Sequence, residues 1–378
     1  MRVKLGCCLI AFCAVFLFTA DTQVNANATT QTQVQAQPAT EAIKEYTLHM
    51  PDGSEVKTLS PYYNAAYLEI AAMLDGRQAL SLKRAAFLVE WAYLDGKPDY
   101  KVFCDSIARI AKTLNTFIKL NKLDQNPIGK NLAIFEFMSN PSPLNGFREY
   151  VYDFEDFRGD NDLTNLFVTK LMRTHSGQCR SLPLFYKILA DEIGAEAYMA
   201  YLPDHSFIRH RDEKGTGWIN VELTNHSMPR DVFIIETENI TKKAIKKGTF
   251  MKPCDDRQVV INLLDDLANA YFAKYSVIDD FSSLCLGKVF RYDPDNLTGL
   301  TIANNCLFRI IDHYKAGLVE KGLPDDDYLK SLVAQIKDVK KKIYETGYVD
   351  ESQEHHDEWV KSVQDEMERR KQHGLRIK

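Results

Sequence analysis

A cysteine, a histidine and an acid follow one another through the middle of this chain, in the order that a thiol nucleophile needs. They are Cys179, His205 and Glu222. A cysteine attacks an acyl carbon as its thiolate, a histidine takes up and returns the proton, and a carboxylate orients the histidine. These residue types in this order predict thiol-dependent chemistry on an acyl group, such as hydrolysis or transfer at a peptide or amide bond.

The residues beside the cysteine predict that it lies at the start of a helix. Pro183 is favoured in a first helical turn, where its missing N–H costs little, and Gly177 lets the backbone approach closely. A helix N-terminus carries a partial positive charge that lowers the pKa of a thiol. We expect the backbone N–H of Cys179 and the side chain of Gln178 to stabilise an oxyanion. The competing interpretation is a buried structural cysteine.

The histidine and the glutamate can meet only if two strands pair in one register. A turn cluster at 212–217 separates these strands. Pairing of Arg211 with Trp218 places the histidine and the glutamate on one face, whereas a slip of one residue separates them. In the favourable register Glu222 binds one imidazole nitrogen of His205 and leaves the other for the cysteine.

Three other histidines compete for the role of the base. His175 lies four residues before the cysteine and ranks second after His205. The other two, near the strand ends, are His210 and His226. A metal site of His205, His210 and Glu222 is disfavoured, because residues five apart along a strand point to opposite faces. No metal and no cofactor is predicted.

The composition is that of a protein with a substantial core and no polyanionic partner. Of the 378 residues, 45% are hydrophobic, and the formal net charge is -5. The lysine-rich runs are short and interrupted by acids, unlike the clustered basic face of nucleic-acid binders. No nucleic-acid partner is therefore predicted.

The first residues have the pattern of a cleaved secretory signal. A short basic region precedes an almost wholly apolar run over 5–18, which is too short to span a bilayer comfortably, and small residues follow. We assign 1–26 to a signal peptide and expect a secreted or periplasmic protein with no membrane span after cleavage. The Gln-, Thr- and Ala-rich stretch that follows predicts a disordered spacer over 27–57.

Five cysteines lie beyond the predicted signal: Cys104, Cys179, Cys254, Cys285 and Cys306. They form no C-x-x-C pair, which disfavours a zinc knuckle or a thioredoxin-type motif. The simplest account is one reactive thiol, with the others buried or paired. Cys104 lies among the apolar positions of a predicted helix and is expected in the core.

The rest of the chain divides into an α+β core between helical regions. Helical spacing over 58–155 predicts a bundle, with helices at 60–76, 79–94 and 100–122. The core, assigned to 156–245, has the cysteine helix at 179–192 and strands at 198–202, 205–211, 218–224 and 232–235.

The C-terminal third is predicted to be helical. We assign 246–325 to a region in which helices at 281–292 and 297–320 are joined by Asp-Pro-Asp-Asn, the kind of link found in tetratricopeptide-like hairpins. The highly charged residues over 326–378 predict solvated helices.

Taken together, Gly-Gln-Cys at 177–179, His205 and the run Trp-Ile-Asn-Val-Glu-Leu-Thr at 218–224 resemble the transglutaminase-like superfamily of papain-type folds. The resemblance implies a central helix that begins at the cysteine, followed by antiparallel strands that carry the histidine and the acid. It implies that Cys179 is the nucleophile, His205 the base and Glu222 the orienting acid. The chain departs from the usual pattern by a glutamate in place of aspartate and by Ser206 before the aromatic Phe207.

Members of this superfamily include peptidases, amidases, transglutaminases and inactive proteins, so the resemblance leaves two hypotheses. The first is a secreted acyl hydrolase or acyltransferase that acts on a peptide, a protein or a cell-wall fragment. The second is a catalytically inactive scaffold that binds a protein or cell-wall partner. Selective alkylation of the cysteine at neutral pH separates the two.

Overall fold

A computed structural model of the chain describes residues 44–157, 159 and 161–378. The predicted signal peptide and the spacer up to residue 43 lie outside the described residues. The remainder of the predicted spacer is not irregular, because β1 (Tyr46–His49) and β2 (Glu55–Thr58) form an antiparallel hairpin. Its alternating pattern buries Leu48 against the main hydrophobic core, and this burial orders the segment.

Four helices form the N-terminal region: α1 (Pro61–Leu74), α2 (Leu82–Tyr93), α3 (Tyr100–Leu120) and α4 (Gly129–Ser139). The first three confirm the predicted helices, and α4 falls outside them. Ser60, Ser81 and Asp99 cap the first three, each accepting a hydrogen bond from a backbone N–H of the first turn.

The position of Cys104 differs from the prediction. It is half-buried rather than in the core. The buried stripe of α3 runs through Phe103, Ile107 and Ala111, at helical spacing, so the residue next to Phe103 turns toward the edge of that stripe.

The mixed core contains two helices and five strands: β3 (Val151–Tyr152), α5 (Val168–Thr174), β4 (Ser176–Gly177), α6 (Ser181–Ile193), β5 (Tyr198–Leu202), β6 (His205–Arg211) and β7 (Trp218–Val221). Strands β3 and β4 pair parallel, and β5–β6–β7 form an antiparallel sheet. Helix α6 begins two residues after Cys179 and ends at Gly194, which has a φ of 66°. The α+β class is confirmed.

The register of the antiparallel sheet is the one that brings the histidine and the glutamate to one face. Arg211 pairs with Trp218, as predicted, and the ladder runs to the pair Ile208 and Val221. The last strand ends there, before the predicted residue 224, because Glu222 pairs with Ser227 in an isolated bridge instead of continuing along β6.

One predicted strand is a helix. The residues predicted as a strand over 232–235 lie in α7 (Asp231–Thr237), which is followed by α8 (Lys242–Lys247). The run Val-Phe-Ile-Ile has high strand propensity, but Val232 and Phe233 are exposed and only Ile234 is buried. A strand in the sheet would have packed more of these side chains, so tertiary context decides against the propensity.

Five helices complete the chain: α9 (Asp256–Tyr275), α10 (Asp280–Tyr292), α11 (Leu297–Glu320), α12 (Asp327–Glu345) and α13 (Gln353–Gln372). The helices predicted at 281–292 and 297–320 are confirmed. Helix α9 packs against α1 and α2, which joins the N-terminal bundle to the C-terminal helices through one core.

The charged C-terminal tail is helical, as predicted, but it is not wholly solvated. After α13 the chain returns to the mixed core, where the backbone N–H of Phe154 donates to the carbonyl of Ile377 at 3.0 Å. The guanidinium of Arg376 donates to the carbonyls of Glu149, Thr174 and His175. In the described part of the chain, no helix combines the length and the apolar character that a bilayer crossing requires.

Candidate active site

A buried layer of hydrogen bonds fixes the segment that carries Cys179. The side-chain amide of Gln178 donates to the carbonyls of Asp153 and Asp156. The hydroxyl of Ser181 accepts from the backbone N–H of Gln178 at 2.9 Å and donates to the carbonyl of Asn165 at 2.8 Å. We call these five residues the wall. Gln178 and Ser181 are almost completely buried, so the wall holds the start of α6 on the β3 loop.

Gly177 has no room for a side chain. A Cβ at this position would lie 2.9 Å from Cδ1 of Leu171 and would also collide with the hydroxyl of Ser181. The close backbone approach predicted for this glycine is therefore present. The side-chain amide of Gln178 already donates to two carbonyls. Its predicted role in stabilising an oxyanion therefore stays a prediction.

Both neighbours of His205 contact Cys179. The sulfur of Cys179 lies 3.9 Å from the carbonyl oxygen of Asp204, and the hydroxyl of Ser206 donates to the Cys179 carbonyl at 2.7 Å. Asp204 has a φ of 60°, in the two-residue connection that sets the first residue of β6. The connection between β5 and β6 thus brings the start of the histidine strand against the start of the cysteine helix.

Cys179 itself is buried. The other cysteines of the described residues, Cys104, Cys254, Cys285 and Cys306, are free thiols. Cys254 and Cys285 are buried, as the sequence predicts for the other cysteines, and the predicted reactivity of Cys179 stays a prediction. The sulfur acts as a nucleophile only in its thiolate form.

The side chains of His205 and Glu222 meet, as the predicted strand register requires. Nε2 of His205 lies 2.6 Å from Oε2 of Glu222. The second carboxylate oxygen, Oε1, accepts from the backbone N–H and the hydroxyl of Thr224 at 2.9 and 2.7 Å. Because an ionised carboxylate only accepts, we assign the proton of this pair to Nε2. Nδ1 is then the nitrogen left to exchange a proton with a thiol.

Burial and the ion pairing have opposite effects on the pKa values of His205 and Glu222. Burial disfavours the charged form of His205, but the facing Glu222 carboxylate outweighs it and raises the pKa of the imidazole above its ordinary value. Burial also disfavours the Glu222 carboxylate, but His205 and the Thr224 donors lower the pKa of Glu222 below its ordinary value. The pair therefore stabilises an imidazolium next to a carboxylate.

The competing histidines are held elsewhere. The ring of His175 stacks on Tyr150 with centroids 4.1 Å apart, and its Nδ1 lies 2.7 Å from the carbonyl of Arg148. Nε2 of His226 lies 2.7 Å from the carbonyl of Tyr150. His210 is buried, and its Nδ1 lies 2.8 Å from the carbonyl of Arg211. Among the described residues, no group of three His, Cys, Asp or Glu side chains is arranged to hold a metal ion.

A cavity of about 180 Å³ opens next to His205. The mixed core contributes Arg180, Asp204 and Ser206 to its lining. The opposite side comes from the end of α8 and the segment after it, through Lys247 and Lys252, and from the link between α10 and α11, through Asp293 and Asp295. The C-terminal helices therefore complete a cavity to which the mixed core contributes His205.

Three side chains of the site were absent from the sequence prediction. Ser206, which marked a departure from the family pattern, binds the backbone of Cys179. Thr224 follows Glu222 by two residues, a spacing at which a hydroxyl and a backbone N–H can bind one carboxylate. Arg180 lines the cavity next to His205. It directly follows the cysteine, but the sequence alone does not show on which side of the segment its side chain lies.

Comparison with known proteins agrees with this arrangement. Residues 114–265 match the family model of the transglutaminase-like superfamily, and this segment contains the cysteine helix, the antiparallel sheet and the start of α9. No curated protein and no solved structure matches the chain significantly. The segment from 114 to 265 is therefore a transglutaminase-like superfamily domain, flanked on both sides by helical regions.

Proposed function

We propose that this transglutaminase-like domain is a thiol-dependent acyl hydrolase or acyltransferase that acts on a peptide or amide bond. Cys179 is the nucleophile, His205 the acid–base group and Glu222 the residue that orients and charges the imidazole. The observation that carries the proposal is the 2.6 Å pair between His205 and Glu222. Its histidine lies between two residues, Asp204 and Ser206, that both contact Cys179.

The proposed reaction proceeds by two acyl transfers. The thiolate of Cys179 adds to the amide carbonyl, and His205 protonates the leaving amine as the carbon–nitrogen bond breaks, which leaves a thioester. Water or a second amine then attacks the thioester, His205 takes its proton, and the thiolate is released. We propose that backbone N–H groups at the start of α6 stabilise the oxyanion in both steps.

The burial of Cys179 favours a second candidate, an inactive scaffold that binds a protein or a cell-wall fragment. In that case the His205–Glu222 pair serves to hold the sheet edge and does no chemistry. We further propose, from the N-terminal sequence pattern, that the protein is secreted or periplasmic.

Mass spectrometry of peptide and cell-wall fragment mixtures tests the proposed activity. The protein is reduced with a thiol and incubated with the mixtures, with and without an added primary amine. The proposal expects hydrolysed or amine-coupled products with the wild type and none with Cys179→Ala. Equal product yields from both proteins, or no product after reduction although Cys179 is free, would favour the inactive scaffold.

A further inference from the structure

Arg180, which directly follows the nucleophile, is a mostly buried cation with one charged partner. It is the N-cap residue of α6, and its side chain is 13% exposed. One of its Nη2 donors is bound by the carboxylate of Asp266 in α9, which is 14% exposed. A buried guanidinium needs such a partner, and the pairing fixes the direction in which the remaining donors point.

The remaining donors of Arg180 open onto the cavity. A guanidinium has five N–H donors, and within the described residues the only hydrogen bond of this one goes to Asp266. Nε of Arg209 is fully buried and has no hydrogen-bond partner. Among the described residues, no side-chain nitrogen of Arg180 is in that situation. Its unused donors therefore reach solvent, and Arg180 lines the cavity that also holds His205.

The acids on the far side of the cavity already have partners. Asp293 accepts from the side-chain amides of Gln258 and Asn296 at 2.8 and 3.1 Å. Asp295 lies 3.9 Å from Nζ of Lys247. Arg180 in contrast presents unused donors of fixed geometry, which suit a planar, bidentate acceptor better than a water molecule.

We infer that Arg180 binds a carboxylate of the acyl donor, so that the domain acts on acidic peptides. Because Arg180 is adjacent to Cys179 and shares the cavity with His205, the bound carboxylate lies within about one residue of the attacked carbonyl. The cavity is smaller than the 300 Å³ or so typical of whole-ligand sites, and it suits a single side chain or chain end. The inference rests on the proposed function, because it assigns the substrate of the same nucleophile.

Two alkylating reagents that differ only in a carboxylate test the inference. Iodoacetate and iodoacetamide both place a methylene carbon on the thiolate and release iodide, but only iodoacetate carries the carboxylate next to that carbon. The rates at Cys179 are measured by peptide mass spectrometry on reduced protein. Replacement of both members of the buried pair, in Arg180→Gln/Asp266→Asn, avoids a lone buried charge.

The inference predicts that the ratio of the iodoacetate rate to the iodoacetamide rate falls at least about tenfold in the double variant. Arg369→Gln, which removes an exposed arginine on α13, is the matched control and should keep the wild-type ratio. A reactive Cys179 with the same ratio in wild type and double variant overturns the inference alone. A wild-type Cys179 that reacts with neither reagent contradicts the proposed function and the inference with it.

Protection of Cys179 from iodoacetamide by peptides tests the inference on the wild-type protein, without any variant. Acetyl-Ala-Glu-Ala-amide and acetyl-Ala-Ala with a free carboxyl end are compared with acetyl-Ala-Gln-Ala-amide and acetyl-Ala-Ala-amide. At least one acidic peptide should slow iodoacetamide at a concentration about tenfold lower than its neutral match. The effective peptide tells whether Arg180 binds a side-chain carboxylate or a chain end. Equal protection by acidic and neutral peptides contradicts the inference.

Discussion

On one side of Cys179 the polar groups are buried and hydrogen-bonded to one another, whereas on the other side they line a cavity. In the wall, Gln178 and Ser181 bind backbone carbonyls and each other. On the cavity side, Arg180 has unused donors and His205 is 23% exposed. The two residues that flank Cys179 in sequence, Gln178 and Arg180, thus lie in opposite surroundings. Changes in the wall should lower stability, and changes on the cavity side should lower reactivity.

The largest expected effect is on reactivity, in Glu222→Gln, which changes the partner of His205. Loss of the carboxylate removes the main group that raises the pKa of His205, so less imidazolium is available to stabilise the thiolate. We expect the iodoacetamide rate at Cys179 of the reduced protein to fall about 100-fold at pH 6, the lower end of the range for general acid–base groups. A loss of stability with no loss of alkylation rate would show that Glu222 supports the fold and not the reactivity of Cys179.

The same pair makes stability depend on pH in a defined window. Glu222 has a lowered pKa, so its contribution is present above its ordinary value and is lost as the pH falls through its folded pKa. His205 has a raised pKa, so its contribution is present below its ordinary value and is lost as the pH rises through its folded pKa. Urea unfolding should show the wild type losing stability at both ends relative to Glu222→Gln.

The second effect lies in the wall, in Gln178→Leu. This change leaves the carbonyls of Asp153 and Asp156 without their donor in a buried place. We expect the free energy of unfolding to fall by about 1–3 kcal/mol. Gln125→Leu, at an exposed position, is the control and should change it by less than about 0.5 kcal/mol. A stable Gln178→Leu protein would mean that the wall does not hold the cysteine segment.

A smaller loss of stability is expected from Arg376→Ala, which removes the C-terminal contact behind the wall. Its guanidinium binds the carbonyls of Glu149, Thr174 and His175, on the two chain segments that lead into β3 and β4. Charged hydrogen bonds of this kind contribute about 1.5–3 kcal/mol when buried, and partial exposure brings the expected loss to about 1 kcal/mol. Urea unfolding measures this loss, with Arg369→Ala as the control variant. Equal midpoints for the two variants would show that the tail does not support the wall.

The smallest effect should come from Thr224→Val. The change removes the hydroxyl that donates to Glu222 at 2.7 Å but keeps the backbone donor at 2.9 Å. Loss of one neutral donor is worth about 0.5–1.5 kcal/mol, and the remaining donor keeps the carboxylate in place. We expect the alkylation rate to change by about threefold or less. A loss as large as that of Glu222→Gln would show that the hydroxyl positions the carboxylate.

The sequence predicts the parts of this fold that depend on local chemistry. The turn at 212–217 sets the pairing of Arg211 with Trp218, and that register brings His205 to Glu222. The caps and apolar spacing likewise locate α1, α10 and α11.

What the sequence does not predict depends on distant contacts. Helix α7 begins at Asp231, whose carboxylate binds the buried guanidinium of Arg209 through two contacts of 2.8 Å. The wall joins Gln178 to carbonyls more than 20 residues away.

The most direct test of the thiolate mechanism is the rate of Cys179 alkylation from pH 4 to pH 9 in reduced wild-type protein and in His205→Ala. The raised pKa of His205 keeps the imidazolium available to the thiolate, so the wild-type rate should stay high below pH 7. The variant should lose that plateau and follow an ordinary thiol with a pKa of about 8.5. A wild-type profile that already follows an ordinary thiol would contradict the account and leave an inactive transglutaminase-like scaffold.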